Sequence, residues 1–445
     1  MNIGLIAMSG IRACDQELMK LGLTMPGFVE RGRTIASLPS LGLLTLAGLT
    51  PKKHRVHYVE ASGFREAGET LPYDFDLVAI SALSAQVKEA YRLALHYRSA
   101  GIPVVMGGLH VSCLPEEAAE FCDSAVVGEG ELSWLQLLDD FERRSLKPRY
   151  GSLRAQFDMR CSPLPAFELL DPKRYNRLTV QTSRGCPFRC EFCASSILLT
   201  TGYKQKPKER VLAEIQKIRE LWPRPFLEFA DDNSFVDRPY WKELLRQLVP
   251  LGIRWFAETD ISVAQDQEML GLMYDSGCAE VLIGLESPLE TGLDGLELKS
   301  NWKLRKFREY RSAVRKIQSS GIRVNGCFIL GLDGHGPEVF DRVIDFANEC
   351  ELFDVQITIQ TPFPGTPLYT RLSEQGRILQ HGAWERCTLF DVNFQPDGMS
   401  VDQLRQGFRE LARRLYSKEA TVWRKSRFRQ YLRERARKVA HACAD

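Results

Sequence analysis

Leu178-Thr179-Val180-Gln181-Thr182-Ser183-Arg184-Gly185-Cys186-Pro187-Phe188-Arg189-Cys190-Glu191-Phe192-Cys193 decides the fold of this chain. Its first five residues read as a short strand. Three cysteines then follow as C-x3-C-x2-C, with the aromatic Phe192 just before the third. Thiolates on one tight loop can ligate three irons of a [4Fe–4S] cubane. The fourth iron then lacks a protein ligand and is open to a substrate or cofactor. Two other readings compete. Three cysteines plus a distant histidine can bind structural zinc, although such sites usually pair their ligands as C-x2-C knuckles. Unligated, loop thiols beside Arg184 and Arg189 would be reactive liabilities. The position directly after a strand favours the cluster.

Downstream of this loop, strand-like runs recur at residues 226–230, 253–257, 280–284, 323–330 and 354–361, with helical stretches between them. With 178–182 they make six strands, which predicts an open, partial (β/α) barrel, since a full eightfold barrel needs about 250 residues. Asp231 and Asp232 stand at the carboxyl end of the second of these strands, where a barrel site belongs; aspartates there also cap helices.

Upstream, strands at 3–7, 56–60, 77–81, 104–106 and 125–127 alternate with helical stretches such as 41–49, 86–99 and 131–141. That alternation predicts a doubly wound parallel sheet, with a ligand crevice beyond the carboxyl ends of its strands. Ser81-Ala82-Leu83-Ser84, Gly107-Gly108, His110 and Gly128-Glu129 follow such ends. Glycines there let a bulky ligand meet the backbone. The expected layout is α/β throughout: a Rossmann-like domain over 1–141, a proline-bearing linker over 142–176, the partial barrel over 177–375 and a basic helical region over 376–445.

The cysteine loop resembles that of the radical S-adenosylmethionine (SAM) superfamily over about 178–367. The resemblance implies a [4Fe–4S] cluster on Cys186, Cys190 and Cys193, with SAM chelating the open iron and cleaved there to a 5′-deoxyadenosyl radical. It further implies SAM contacts from Asp231 and Asp232 to the ammonium, from Glu286 and Ser287 to the ribose, and from the Gly326 segment beside the adenine. The N-terminal half resembles the cobalamin-binding domain of cobalamin-dependent radical SAM enzymes, among them hopanoid C-2 methylases and bacteriochlorophyll-pathway enzymes. Ser81, Leu83, Ser84, Gly107, Gly108, His110, Gly128 and Glu129 are then the cobalamin-pocket candidates. The D-x-H-x-x-G string of many cobalamin domains is absent from residues 1–140, which implies cobalt without an imidazole from this domain. Asp333-Gly334-His335-Gly336 reads as an ordinary loop. The implied activity is methyl transfer to an unactivated carbon of a small molecule or lipid, with an external electron donor such as flavodoxin or ferredoxin. A cyclisation or rearrangement on the same cofactors is the alternative, and a non-catalytic cobalamin or metal sensor is a third reading.

Hydrophobic residues make up 44% and charged residues 26% of 445 residues, the balance of a globular protein. The first ten residues lack a basic leader and read as a buried strand, so the expected location is the cytoplasm. Nine cysteines scatter outside the loop (Cys14, Cys113, Cys122, Cys161, Cys278, Cys327, Cys350, Cys387 and Cys443), each expected to be a small buried hydrophobe. The net charge of +2 conceals a basic stretch over 404–438, with 13 Lys and Arg against 3 acidic residues. Helices docked on the barrel with a solvated basic face explain it best. Peripheral contact with an anionic membrane is the alternative, and nucleic acid is disfavoured.

Overall fold

A computed structural model of the chain describes residues 1–10, 13–21, 38–61, 63, 74–195 and 202–442. The first sheet contains β1 (Asn2–Met8), β2 (Arg55–Ala61), β3 (Leu77–Ser81), β4 (Val104–Gly107), β5 (Ser124–Val127) and β6 (Arg149–Gly151), all parallel, in the order β2-β1-β3-β4-β5-β6. Its inner strands β1, β3, β4 and β5 are buried and largely apolar because helices cover both faces, while the edge strands β2 and β6 keep exposed polar residues. Ile6, Met8, Val78, Ile80, Val104 and Met106 pack beneath the helix Val87–Ser99. Ile3, Leu5, Leu77, Ala79 and Val105 pack beneath Leu41–Leu49 and Trp134–Glu142. Strand order reverses between β1 and β3, which opens a crevice at their carboxyl ends.

The second sheet contains β7 (Leu178–Val180), β10 (Phe226–Phe229), β11 (Arg254–Thr259), β12 (Cys278–Glu286), β13 (Arg323–Leu330) and β14 (Asp354–Ile359) in the order β14-β13-β12-β11-β10-β7. All neighbours are parallel. β7 and β14 remain edges, so the barrel is partial. β8 (Ser183–Arg184) and β9 (Lys204–Gln205) form a short antiparallel pair beside the cysteine loop. Outward residues such as Phe229, Trp255, Val281, Val324 and Ile357 are buried under the helical layer.

Arg149–Gly151, inside the stretch expected to be a linker, is the sixth strand of the first sheet, paired with β5. Residues 376–400 carry a short bridge between Ile378 and Phe394 rather than a long helix. Helices run over Val401–Leu415 and Lys418–Ala442. They are docked: Leu404, Phe408, Leu411 and Leu415 enter the barrel core, and Phe428 and Tyr431 pack on Phe353. Of the scattered cysteines expected to be buried, Cys122, Cys278, Cys350 and Cys387 are, but Cys14 and Cys161 are exposed and Cys113 and Cys327 half-buried; Cys14 opens onto a surface cavity. Cys443 lies outside the described residues. No helix among the described residues is long and apolar enough to cross a membrane.

Candidate functional site

Two cavities meet where the domains face each other. The first, about 350 Å³, is floored by Ser81, Gly107, Gly108, Gly128 and Glu129 of the first sheet and walled by Leu41, Leu43, Leu46 and Trp134. Gln181, Arg184, Ser195, Ala230 and Asp232 close it from the barrel side. The second, also about 350 Å³, is the barrel mouth, lined by Cys186, Cys190, Cys193, Asn233, Glu258, Asp260, Glu286, Lys303, Cys327, Gln356 and Gln360. Asp232 lines both. The active ends of the two sheets thus face one another, through two adjoining cavities rather than a single undivided one.

The cysteine loop is held by groups far away in sequence. Gly185 turns it with φ +83°, and its N–H donates to Asp232 at 2.7 Å. Glu297 accepts from the amides of Arg189 (3.2 Å), Lys299 (3.0 Å) and Ser300 (2.8 Å). Burial would raise its carboxyl, but the Ser300 hydroxyl, donating at 2.8 Å, together with those amides holds it down at about 2. Arg371 grips Glu191 with two bonds, at 3.0 and 2.6 Å. Burial pushes the Cys186 thiol up to about 11 and the Cys190 thiol up as well. Asn233 donates to Cys186 Sγ at 3.8 Å and to Asp260 at 2.9 Å, and its own carbonyl oxygen is buried without a partner. Among the described residues no three His, Cys, Asp or Glu side chains converge as on one ion. A cubane instead takes each thiolate on its own iron, and three cysteines around one cavity fit it.

The remaining expected SAM residues divide. Asp232 borders both cavities, but Asp231 faces inward, accepting from the Thr182 amide (2.7 Å) and hydroxyl (2.6 Å) and the Ser183 amide (2.9 Å). Burial outweighs those bonds and lifts its carboxyl to about 6. Glu286, at φ +64° in a bulge of β12, lines the barrel mouth and pairs with Lys303 at 2.7 Å. Ser287 is fully buried and tied to His335 Nε2 at 2.9 Å, away from the cavity. Gly326 faces the outer layer, where an added Cβ would strike Leu352 at 2.7 Å; its neighbour Cys327 faces the cavity. Strand alternation sends successive side chains to opposite faces.

The cobalamin candidates divide in the same way. Gly108 has φ +102° and ψ −174°, a conformation essentially reserved for glycine. Gly128 has φ +80°, and an added Cβ would meet the Ser152 carbonyl at 2.6 Å. With Ser81, Gly107 and Glu129 they line the first cavity, a cradle suited to a large flat ligand. Leu83, 46% exposed, lines a smaller neighbouring pocket that also meets Ser81. Ser84 and His110 do not reach the cavity. His110 is fully buried, with Nδ1 3.0 Å from Ser84 Oγ, Nε2 3.3 Å from Glu117 and its ring against Trp384. Burial depresses its basicity. It is a packing residue that helps join the domain to the 384 segment.

Residues the sequence reading passed over include Glu258, Asp260, Lys303, Gln356 and Gln360. Burial and the charges of Glu228, Asp232 and Glu286 push Glu258 up to about 8. Glu258-Thr259-Asp260 at the end of β11 carries the same polar strand-end signal as Asp231-Asp232. Lys303, on the helix Trp302–Lys306, has no local signal.

Comparison with known proteins agrees with this arrangement. Residues 180–347 match the radical SAM superfamily, 36–138 the B12 binding domain, and 366–443 a domain of unknown function. The bacteriochlorophyllide d C-12(1)-methyltransferase of Chlorobaculum tepidum is 29% identical over 87% of this chain and 84% of its own. An uncharacterized methyltransferase of Synechocystis sp. is 30% identical over 81% of this chain and 67% of its own. The radical SAM methyltransferase TsrM from Kitasatospora setae, solved with cobalamin and a [4Fe–4S] cluster bound, superposes with a TM-score of 0.65 at 17% identity, covering 84% of this chain and 78% of that one.

Proposed function

The chain belongs to the cobalamin-dependent radical SAM enzymes, and from that membership we propose that it is a C-methyltransferase acting on an unactivated carbon of a small molecule or lipid. The observation that carries the reading is the facing of the two cavities across Asp232, because methyl delivery requires both cofactors to reach one substrate atom. When bound, the cluster with SAM supplies a 5′-deoxyadenosyl radical and cobalamin supplies the methyl group. Cys186, Cys190 and Cys193 hold the cluster. Asp232, with Glu286, orients SAM: a carboxylate suits an ammonium, and Glu286 is already fixed by Lys303. Ser81, Gly107, Gly108 and Gly128 cradle the cobalamin. Phe188, Phe192, Phe363 and Leu389 line the barrel mouth with apolar surface and exclude water from it. An external electron donor reduces the cluster. Peripheral membrane contact falls to the helix Lys418–Ala442, which exposes Val422, Trp423 and Leu432 among its arginines.

The test is anaerobic reconstitution of the full chain with iron, sulfide, hydroxocobalamin and SAM. Electron paramagnetic resonance (EPR) is expected to show a reduced [4Fe–4S]⁺ cluster, cobalamin to stay bound through gel filtration, and SAM to yield both 5′-deoxyadenosine and S-adenosylhomocysteine. Cys186→Ala, Cys190→Ala or Cys193→Ala each abolish 5′-deoxyadenosine formation. Loss of cobalamin on gel filtration, or SAM cleavage with no S-adenosylhomocysteine, removes the basis for methyl transfer.

A further inference from the structure

Arg184 and Lys204 are direct cross-strand partners in the β8–β9 pair. Two cations so placed repel and destabilise a sheet, unless anions stand between them. Here the anions come from the other domain. Glu129 accepts from Arg184 Nη1 at 2.8 Å and from Lys204 Nζ at 2.7 Å on each oxygen. Glu131 accepts from Arg184 Nη2. Arg184 Nε donates to Gln181 at 2.8 Å, and Lys204 also to the Phe157 carbonyl at 3.1 Å. The four charged side chains balance and are largely withdrawn from water, with exposures of 4% for Glu129, 7% for Glu131, 17% for Arg184 and 18% for Lys204.

The ends of this network are as informative as its middle. Glu129 follows Gly128, whose left-handed turn forms part of the wall of the first cavity. Arg184 precedes Gly185, whose amide is held by Asp232, and Gly185 precedes Cys186. A path of short bonds therefore runs from the cavity wall at Gly128 to the first cysteine of the loop, with the guanidinium fork fixed on three sides. Such a planar fork holds two carboxylates at fixed angles, a rigidity that an ammonium on a flexible stem lacks.

On the reading that the first cavity takes cobalamin and the second SAM, we propose that Arg184 is a positioning residue that couples the two cofactor sites. Cobalamin seated against Gly128 and Glu129 sets the position of Arg184, and Arg184 sets the loop that carries Cys186. Coupling between sites is reciprocal, so SAM and cobalamin each change the affinity of the other.

The full chain, reconstituted anaerobically with iron and sulfide, is titrated with SAM in the absence and presence of hydroxocobalamin, and the EPR spectrum of the reduced cluster is recorded in both states. In the wild type, hydroxocobalamin is expected to change the SAM dissociation constant by roughly fivefold or more and to shift the cluster g-values. In Arg184→Gln, whose side chain also borders the first cavity, hydroxocobalamin is supplied at a concentration that saturates the variant; the change then falls below about twofold and the g-values no longer respond, and Arg184→Lys restores part of the coupling. If Arg184→Gln does not fold, Glu131→Gln decides: it removes one of the two carboxylates on Arg184 and lowers the coupling at least about twofold. Unchanged coupling in the foldable variant overturns the inference, as does a wild type that retains cobalamin with no change in SAM affinity or spectrum. A chain that never retains cobalamin overturns the functional reading instead.

Discussion

Gly107 and Gly108 are adjacent, both line the first cavity, and the structure predicts opposite consequences for enlarging them. At Gly108 an added Cβ comes within 3.2 Å of Ser81 Oγ and 3.4 Å of the Ala82 carbonyl. Its backbone, at φ +102° and ψ −174°, costs an L-residue about 1–3 kcal/mol in strain. Tightening those contacts adds about 1 kcal/mol, so Gly108→Ala is expected to destabilise the domain by about 2–4 kcal/mol. For a domain of this size that lowers its melting temperature by roughly 5–12 °C. At Gly107 an added Cβ meets Val126 at an ordinary 3.6 Å and the backbone is that of a strand, so Gly107→Ala changes stability by less than about 1 kcal/mol. Gly107→Val projects two more methyl groups toward the cavity and weakens cobalamin retention while leaving the fold intact. The assay pairs thermal denaturation followed by circular dichroism with cobalamin absorbance after anaerobic gel filtration. Wild-type melting in Gly108→Ala refutes the backbone argument, and wild-type retention in Gly107→Val refutes the placement of cobalamin against this strand end.

Other perturbations separate residues that look alike in sequence. Asp231→Asn is expected to cost about 1–3 kcal/mol in stability because it disturbs three buried hydrogen bonds, whereas Asp232→Ala weakens SAM binding, read by equilibrium titration; the reverse order of effects contradicts the assignment. His110→Gln leaves the base-off cobalamin spectrum unchanged, since the imidazole is bound to Ser84 and Glu117 instead; a spectral change would make it a cobalt ligand. Glu280 is fully buried with neither carboxyl oxygen partnered, and burial with the Asp354 charge raises it to about 8, against Arg323. A carboxyl raised above its ordinary 4.5 binds its proton more tightly when folded, so its contribution to stability is complete below pH 4.5 and is lost as pH rises toward 8. Melting curves from pH 5 to 9 are expected to show the wild type falling relative to Glu280→Gln by about 3–5 kcal/mol, and parallel curves would show that the proton is not held there.

The strands, the parallel sheets and the cysteine loop were legible in the sequence because each rests on short-range order. A buried strand is a brief apolar run between turns. Three ligands of a cubane must come from one tight loop, so C-x3-C-x2-C carries its meaning within eight residues. The partial barrel was legible in the same way, from six runs separated by helical stretches. The direction in which a given side chain points was not. One residue of shift along a strand moves a side chain to the opposite face, which is why Cys327 faces the barrel mouth and Gly326 does not, and why Asp232 borders both cavities while Asp231 serves Thr182 and Ser183. His110 beside its two glycines had the composition of a pocket residue, but Ser84 and Glu117 claimed both ring nitrogens. The ion pairs of Glu129 with Arg184 and Lys204 join residues 55 and 75 positions apart. No local pattern encodes them: like-charged neighbours on β8 and β9 are tolerated only once the other domain's carboxylates lie between them, and the folding of the two sheets against each other alone decides that.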